Sequence, residues 1–360
     1  MNIAGLGIIC TRGRGPSALC QALATGWVAP ATVAVRGAAE DQLNVYAVPP
    51  EALSDKTLLA QARRADRFSR MAVLAAADAL GDSGLASRVD KARVGVILAT
   101  ALGPHATTFN FLDGILDFGE AAASPTAFSH SVHNAANSYI AMTLGLRGPT
   151  LTVTHFHFAF HQAALLAQAW LKERRCDAVL VGVAEELGTV MEYASSRLLP
   201  PAADGRLKPF AFANSPETVP GEGSVFFLLT PETAGAAYGQ LDVSLNQAPR
   251  VAEPRTALHL LDTFAVTRDE SAYRTLLTPG LVAASYTPLF GSIMTGSAFH
   301  AAAAACMLKG QQRYACPVQD NPHQVPLCAE TATGSLREVL CTRLDCSGRR
   351  ADLRLTPQPW

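Results

Sequence analysis

An α/β layered fold around a largely buried sheet is the architecture this sequence predicts, on two observations. Short β-branched runs at Asn2–Cys10, Val94–Ala99, Thr150–His155, Ala178–Val183 and Ser224–Thr230 alternate with segments whose apolar residues recur every three and four positions. Those helical segments lie around Ser17–Gly26, Phe68–Ser83, Ser138–Leu144 and Gln162–Arg174. The second observation is Val179-Leu180-Val181-Gly182-Val183, apolar on both faces, as a central strand covered by helices on either side must be. From Asn246 to Leu277 the periodicity weakens, and the stretch reads as irregular or partly helical. The pattern then restarts with a strand at Leu281–Tyr286, a glycine turn, a small-residue helix from Ala298, and strands at Leu336–Leu344 and Ala351–Leu355. One α/β unit duplicated near residue 230 would give two related parts, 1–230 and a shorter 231–360.

The 360 residues are enough for a large core, and 49% are hydrophobic against only 16% charged. So few charges predict that much of the surface is buried against another subunit. A net charge of −1 gives no general attraction to nucleic acid or anionic lipid. The basic pairs Arg63-Arg64, Arg174-Arg175 and Arg349-Arg350 are too short to change that. Met1–Ile9 has no charged n-region and reads as a first strand rather than a signal peptide, while Ala301–Met307 is far too short to span a bilayer. Eight cysteines without C-x-x-C spacing suggest reduced thiols, and the expected compartment is the cytoplasm.

The most informative stretch is 148–164, a buried strand, a tight elbow and the start of a helix, the layout that presents a nucleophile. His157 stands at this elbow between Phe156 and Phe158, with no Ser, Cys or Lys. His155 and His157, alternating on one strand face, have a spacing that zinc could use, but no third ligand is placed, so no metal is expected. The simpler reading has His155, His157 and His161 as structural histidines, with Phe156, Phe158 and Phe160 filling space.

Several segments in order resemble the β-ketoacyl synthase family of the thiolase fold. They are Ile3-Ala4-Gly5-Leu6-Gly7, Asp66-Arg67-Phe68-Ser69-Arg70-Met71-Ala72, and Phe128-Ser129-His130-Ser131-Val132-His133-Asn134-Ala135. Gly145-Leu146-Arg147-Gly148-Pro149, Val181-Gly182-Val183-Ala184-Glu185, Asp204–Phe210 and Gly221-Glu222-Gly223-Ser224 follow. The resemblance implies a thiolase-like layered αβαβα fold with two related halves, and 1–230 as its N-terminal half. It puts the family's acyl-accepting cysteine at His157. In the family's K-S-x-x-G-H motif, Ser292 stands at the lysine position and Ser297 at the histidine position. The H-G-T-G-T loop with the other histidine is missing, and G-F-G-G survives only as Asp345-Cys346-Ser347-Gly348.

Condensation in the family needs a thiolate to carry the acyl chain and two histidines to stabilise the enolate of malonyl carrier protein. An acyl-imidazole at His157 would hydrolyse too easily to serve as a carrier. The catalytic side chains act as a unit, so their joint absence implies a chain that does not condense acyl groups alone, and none of its residues is assigned a catalytic role. The resemblance therefore implies a degenerate subunit of chain-length-factor type. It would pair with an active ketosynthase and shape the acyl tunnel in fatty acid, polyketide or polyene synthesis on an acyl carrier protein, without a cofactor. The F-x-x-S-V-H-N-A form is similar to that of aryl polyene systems. Phe128, His133, Asn134, Phe156, Phe158 and Phe160 are the expected tunnel or interface residues, with Asn134 expected to hydrogen-bond its loop. Glu185 is expected to satisfy buried backbone groups, and Gly221 and Gly223 to permit tight turns. Two rivals remain: an atypical malonyl carrier protein decarboxylase or acyl hydrolase using His157, and a homodimeric acyl or carrier-protein binding module.

Overall fold

A computed structural model describes residues 1–36, 41–232, 237–246, 254–263, 271–277 and 280–358. Among the described residues one continuous sheet has eleven strands, ten of them in a single path and the short Gly13–Arg14 pairing beside the first: β1 Asn2–Cys10, β2 Val94–Thr100, β3 Thr150–Thr154, β4 Ala178–Glu185, β5 Gly223–Thr230, β6 Gln240–Leu245, β7 Ala257–Leu261, β8 Val282–Ala284, β9 Glu338–Leu344 and β10 Arg350–Thr356. Their order is β8-β7-β9-β10-β6-β1-β5-β4-β2-β3. The first five strands run β3-β2-β4-β5-β1 from the edge inward, and the last five repeat this as β8-β7-β9-β10-β6. Directions repeat too. β2 is parallel to β3 and β4, while β5 is antiparallel to β4 and β1; β7 is parallel to β8 and β9, while β10 is antiparallel to β9 and β6. The halves join where Asn2 of β1 pairs with Gln240 of β6.

The helices used below are α1 Pro16–Thr25, α2 Arg67–Asp82, α3 His105–Phe118, α4 Pro125–His130, α5 Ala135–Leu144, α6 Ala159–Lys172, α7 Thr189–Leu198 and α8 Gly296–Gly310. α6 and α8 form a central layer. Phe160, Ala163, Ala164 and Ala167 of α6 and Ala298–Leu308 of α8 share one core with inward residues of both half-sheets. On the outer face of the first half-sheet, α2 and α5 pack over Val96, Leu98, Leu180, Phe226 and Leu228. The alanines of α8 let it be buried on all sides along its length. Close approach also explains the glycines of β1: a Cβ on Gly5 or Gly7 would stand 2.1 and 2.0 Å from backbone oxygens of α2.

Two motifs find their physical partners here. Asp66 caps α2, its carboxylate accepting the Ser69 N–H at 2.7 Å. Arg67 forks onto Glu222 of the G-E-G turn, and Glu222 also accepts the Val48 and Leu187 N–H groups at 2.8 and 3.0 Å. These contacts bind α2 to the start of β5.

Some expectations shift. The irregular stretch from Asn246 to Leu277 contains β7, with 247–253 and 264–270 outside the described residues. The strand expected at Leu281–Tyr286 is only Val282–Ala284, because Pro288 begins a helical turn at Thr287–Phe290. β3 stops at Thr154, one residue before His155. No helix among the described residues is long and apolar enough to cross a membrane.

Candidate functional site

The elbow joins β3 to α6. His155 donates its backbone N–H to Thr100 O at 3.1 Å and then leaves the ladder, so His155 and His157 do not share a strand face as their spacing suggested. The His155 Nδ1 accepts the backbone N–H groups of His157 and Phe158, both at 3.0 Å. A histidine thus fills the role of a helix-capping acceptor, satisfying donors that open α6. These bonds assign the neutral ring with its proton on Nε2. Burial lowers the basicity of His155, and Arg349 adds to the effect. The Phe158 ring stacks on His155, centroids 5.8 Å apart and 13° from parallel.

His157 is half-buried in the turn, and its Nδ1 has no hydrogen-bond partner. Burial and then the Arg343 charge lower its pKa. His161, one turn into α6, is buried with neither ring nitrogen hydrogen-bonded, and burial, then Arg343, drives its pKa down to about 3. The elbow therefore presents uncharged imidazoles at neutral pH. Among the described residues, no group of three or more His, Cys, Asp or Glu is arranged to hold a metal ion.

Beneath the elbow lies a charged cluster that sequence reading missed. Asp262 follows β7, and its Oδ2 accepts from Arg343 Nη1 of β9 at 2.6 Å and from Ser297 Oγ of α8 at 2.6 Å. Asp262 and Arg343 are both about 2% exposed as side chains. Burial raises the Asp262 pKa, but the Arg343 charge, with the hydrogen bonds from Arg343 and Ser297, outweighs it and holds the carboxyl below its ordinary value. His300 Nε2 accepts the Tyr286 N–H at 3.2 Å and its Nδ1 donates to Gly296 O at 3.1 Å, which assigns a neutral ring. Ser297, at the degenerate histidine position, is thus a ligand of an ion pair. Ser292, at the degenerate lysine position, clasps Val219, donating its N–H to Val219 O at 2.6 Å and accepting the Val219 N–H at 3.3 Å.

The other expected residues divide. Glu185 Oε1 accepts the Ala101 N–H at 2.6 Å, the expected backbone service, and burial raises its pKa to about 7. Gly221 permits a close approach, since a Cβ there would meet Phe290 O at 2.1 Å. Phe160 is in the central layer against Phe227, centroids 5.4 Å apart. Phe158 is buried, whereas Phe156 and Phe128 are 55% and 59% exposed. Phe128 sits on α4 beside Phe111 of α3, and His133 lies against Gly103 in the neighbouring loop. Asn134 precedes α5 but its side chain makes no capping bond. Asn137 makes the tie instead, donating Nδ2 to Leu151 O at 2.7 Å and to Thr152 Oγ1 at 2.8 Å, which fixes α5 to β3.

β3 is an edge strand, and apolar side chains stay exposed around it. They include Leu151 on β3, Phe156 at the elbow and Met142 on α5, which packs on β3. An uncovered edge with such side chains is the pattern of an interface. A narrow cavity of about 50 Å³, bounded by Leu102, Glu185, Glu186, Met191, Ser292 and Met294, has room for a few water molecules.

The family model of the β-ketoacyl synthase N-terminal domain matches residues 2–234. Spectinabilin polyketide synthase system protein NorC of Streptomyces orinoci is 40% identical over 109 residues, which are 29% of this chain and 5% of that protein. Nodulation protein E of Rhizobium leguminosarum bv. trifolii is 28% identical over 201 residues, 55% of this chain and 48% of that protein. The matched part thus spans half or less of these curated relatives. The fold is similar to a β-ketoacyl synthase from Burkholderia phymatum STM815, with a TM-score of 0.78 at 16% identity, over 99% of this chain and 98% of that one. It is also similar to the ishigamide ketosynthase/chain length factor, with a TM-score of 0.78 at 16% identity over 99% of both chains. A family match over residues 2–234, well over half of the 360-residue chain, identifies it as a member of the β-ketoacyl synthase family.

Proposed function

We propose that this chain is a non-catalytic subunit of chain-length-factor type that pairs with an active, cysteine-bearing ketosynthase and shapes its acyl tunnel, in type II synthesis on an acyl carrier protein. The observation that carries this reading is the pairing of two changes in one centre. His157 stands where the acyl-accepting thiol belongs, and Ser297, where a catalytic histidine belongs, is engaged by the Asp262–Arg343 pair. Uncharged imidazoles above and a carboxylate committed to an arginine below offer neither a stable acyl carrier nor a stabiliser for a developing enolate.

Two further observations support pairing. The apolar face around β3 borders the elbow, so a partner covering it would meet Phe156 directly. One solved relative in fold is a ketosynthase/chain length factor pair, and another is a ketosynthase in complex with a type II polyketide acyl-carrier protein. The proposed wall consists of Phe156 and Phe158, with Phe128 and His133 at its rim and Phe160 supporting it from the core. Fatty acid, polyketide or aryl polyene synthesis would each suit such a subunit.

The test is co-expression with a cysteine-bearing ketosynthase from the same gene neighbourhood, followed by assay with acyl and malonyl carrier protein. The expected result is a stable heterodimer whose condensing activity survives His157→Ala in this chain and disappears when the partner loses its cysteine. Carbon dioxide release by this chain alone that is lost in His157→Ala would establish the decarboxylase instead. A stable homodimer that binds carrier protein and captures no ketosynthase would establish the binding module.

A further inference from the structure

The narrow cavity beside Glu185 and Glu186 adjoins a wider space. Four residues that bound it, Met191, Ser195, Leu199 and Met294, also bound an open groove of about 510 Å³. The rest of the groove is largely apolar, through Ala194, Leu198, Pro200 and Pro216. Met191 and Met294 are half-buried where groove and cavity meet, and unbranched thioether side chains can part for a narrow guest. Beyond them the lining changes character: Glu185 and Glu186, both buried, line the cavity but not the groove.

Glu185 serves the Ala101 N–H, as described above. Glu186 accepts the Ala106 N–H at 2.9 Å, and His105 Nδ1 stands 3.9 Å from the same oxygen, beyond hydrogen-bond reach. His105 is itself buried with neither ring nitrogen hydrogen-bonded, and burial lowers its pKa, which leaves the ring uncharged at neutral pH. Glu186 also belongs to a set short of positive charge. The next residue, Leu187, donates its N–H to Glu222, to which Arg67 is bonded, and Asp66 accepts the Thr107 hydroxyl at 3.0 Å. Glu186, Glu222 and Asp66 thus share the charge of Arg67. A buried carboxyl without its own cation, at the end of an apolar entrance, matches a ligand with a cationic head and an alkyl tail, because each charge offsets the other's desolvation.

We propose that this groove and cavity bind a primary alkylammonium ion, its chain lying between Met191 and Met294 and its head hydrogen-bonded to Glu186. A donor head there also gives His105 Nδ1 the partner it lacks. The site is independent of the pairing proposed above, since none of its residues lies on the β3 face.

The experiment titrates the folded full-length chain at pH 7 with n-octylamine, n-octanol and octanoate, followed by calorimetry. Octylamine should bind tighter than octanol by about tenfold or more, as a charge-assisted hydrogen bond requires, with octanoate weakest. Glu186→Gln should remove that advantage and leave the affinity for octanol unchanged. A diazirine-bearing alkylamine should label the peptides carrying Met191 and Met294, and excess octylamine should block the labelling. The site is overturned if octylamine binds no tighter than octanol, if the label falls elsewhere on the surface, or if Glu186→Gln keeps the full affinity for octylamine. The first two outcomes are read on the wild-type chain, so they do not depend on a variant folding.

Discussion

The elbow and the cluster beneath it occupy one centre but are held together in opposite ways. At the elbow, His155, His157 and His161 are uncharged, surrounded by aromatic rings, and tied by two backbone hydrogen bonds to His155. Beneath it, a fully buried carboxylate is locked to a fully buried guanidinium. The lower cluster is a structural commitment between β7, β9 and α8, since a buried ion pair punishes the loss of either member. The elbow carries no such charge debt, so it can vary in shape while the floor stays fixed. The division suits a subunit that retains the family's frame and alters only a wall.

The sharpest way to break this contrast is to remove one charge from the floor. Arg343→Met should leave Asp262 buried without its cation and cost about 3–5 kcal/mol, read as a lower urea midpoint. The double variant Arg343→Met with Asp262→Asn should recover much of that loss, because no uncompensated charge then remains. If the single variant unfolds at the wild-type midpoint, the floor is not held by its ion pair.

Acid should loosen the elbow and β7 through two buried histidines, His161 and His259, the latter on β7 with its Nε2 2.8 Å from Thr342 Oγ1. The His161 and His259 pKa values fall to about 3 from an ordinary 6.5, so the unfolded chain binds protons that the folded chain refuses. Their contribution is complete above pH 6.5 and is lost progressively as the pH falls toward 3. Glu185 and Glu186 work in the other direction. Burial raises them to about 7 and about 8, so their contribution is complete below their ordinary 4.5 and is lost as the pH rises to those values. Denaturation midpoints across pH 4–8 should show His161→Gln with a flatter acid limb and Glu186→Gln with a flatter neutral limb. Identical pH profiles for wild type and both variants would contradict the buried titrations.

How much of this centre could be read in the sequence depended on whether its contacts are local. The elbow was legible because strand, turn and helix are contiguous, and β1, β2, β4 and β5 were legible because their runs are apolar over most of their length. α3 escaped notice because Leu112, Leu116 and Phe118 face outward, so its pattern has no core face to register. Asp262 and Arg343 are 81 positions apart and meet only through the parallel register that sets Leu261 beside Thr342. No spacing rule in one sequence could pair them. Asn137 was overlooked for a smaller reason: the resemblance drew attention to Asn134, three residues earlier, and only the strand beside α5 shows which amide reaches it.

At the elbow the expected stability effects are smaller. His155→Ala removes the acceptor for two N–H groups at the start of α6 and should cost about 1 kcal/mol, as for other lost helix caps. His155→Asn, which restores an acceptor, should regain part of it. A loss as large as that of Arg343→Met would mean that the elbow, too, is a structural lock.

The smallest effect on the isolated chain is expected from Phe156→Ala, and it discriminates best. Phe156 is 55% exposed, so its truncation should move the unfolding midpoint by no more than about 0.5 kcal/mol. In the complex the same ring would be covered if a partner sits on the β3 face, and interface aromatics there are the side chains whose removal costs most. Two readouts follow: the dissociation constant for the ketosynthase and the length distribution of the products. Weaker pairing with unchanged lengths would make Phe156 an anchor, and longer products at unchanged affinity would make it the end of the tunnel. If neither moves, the aromatic wall must be sought at Phe158, whose ring is already buried against His155.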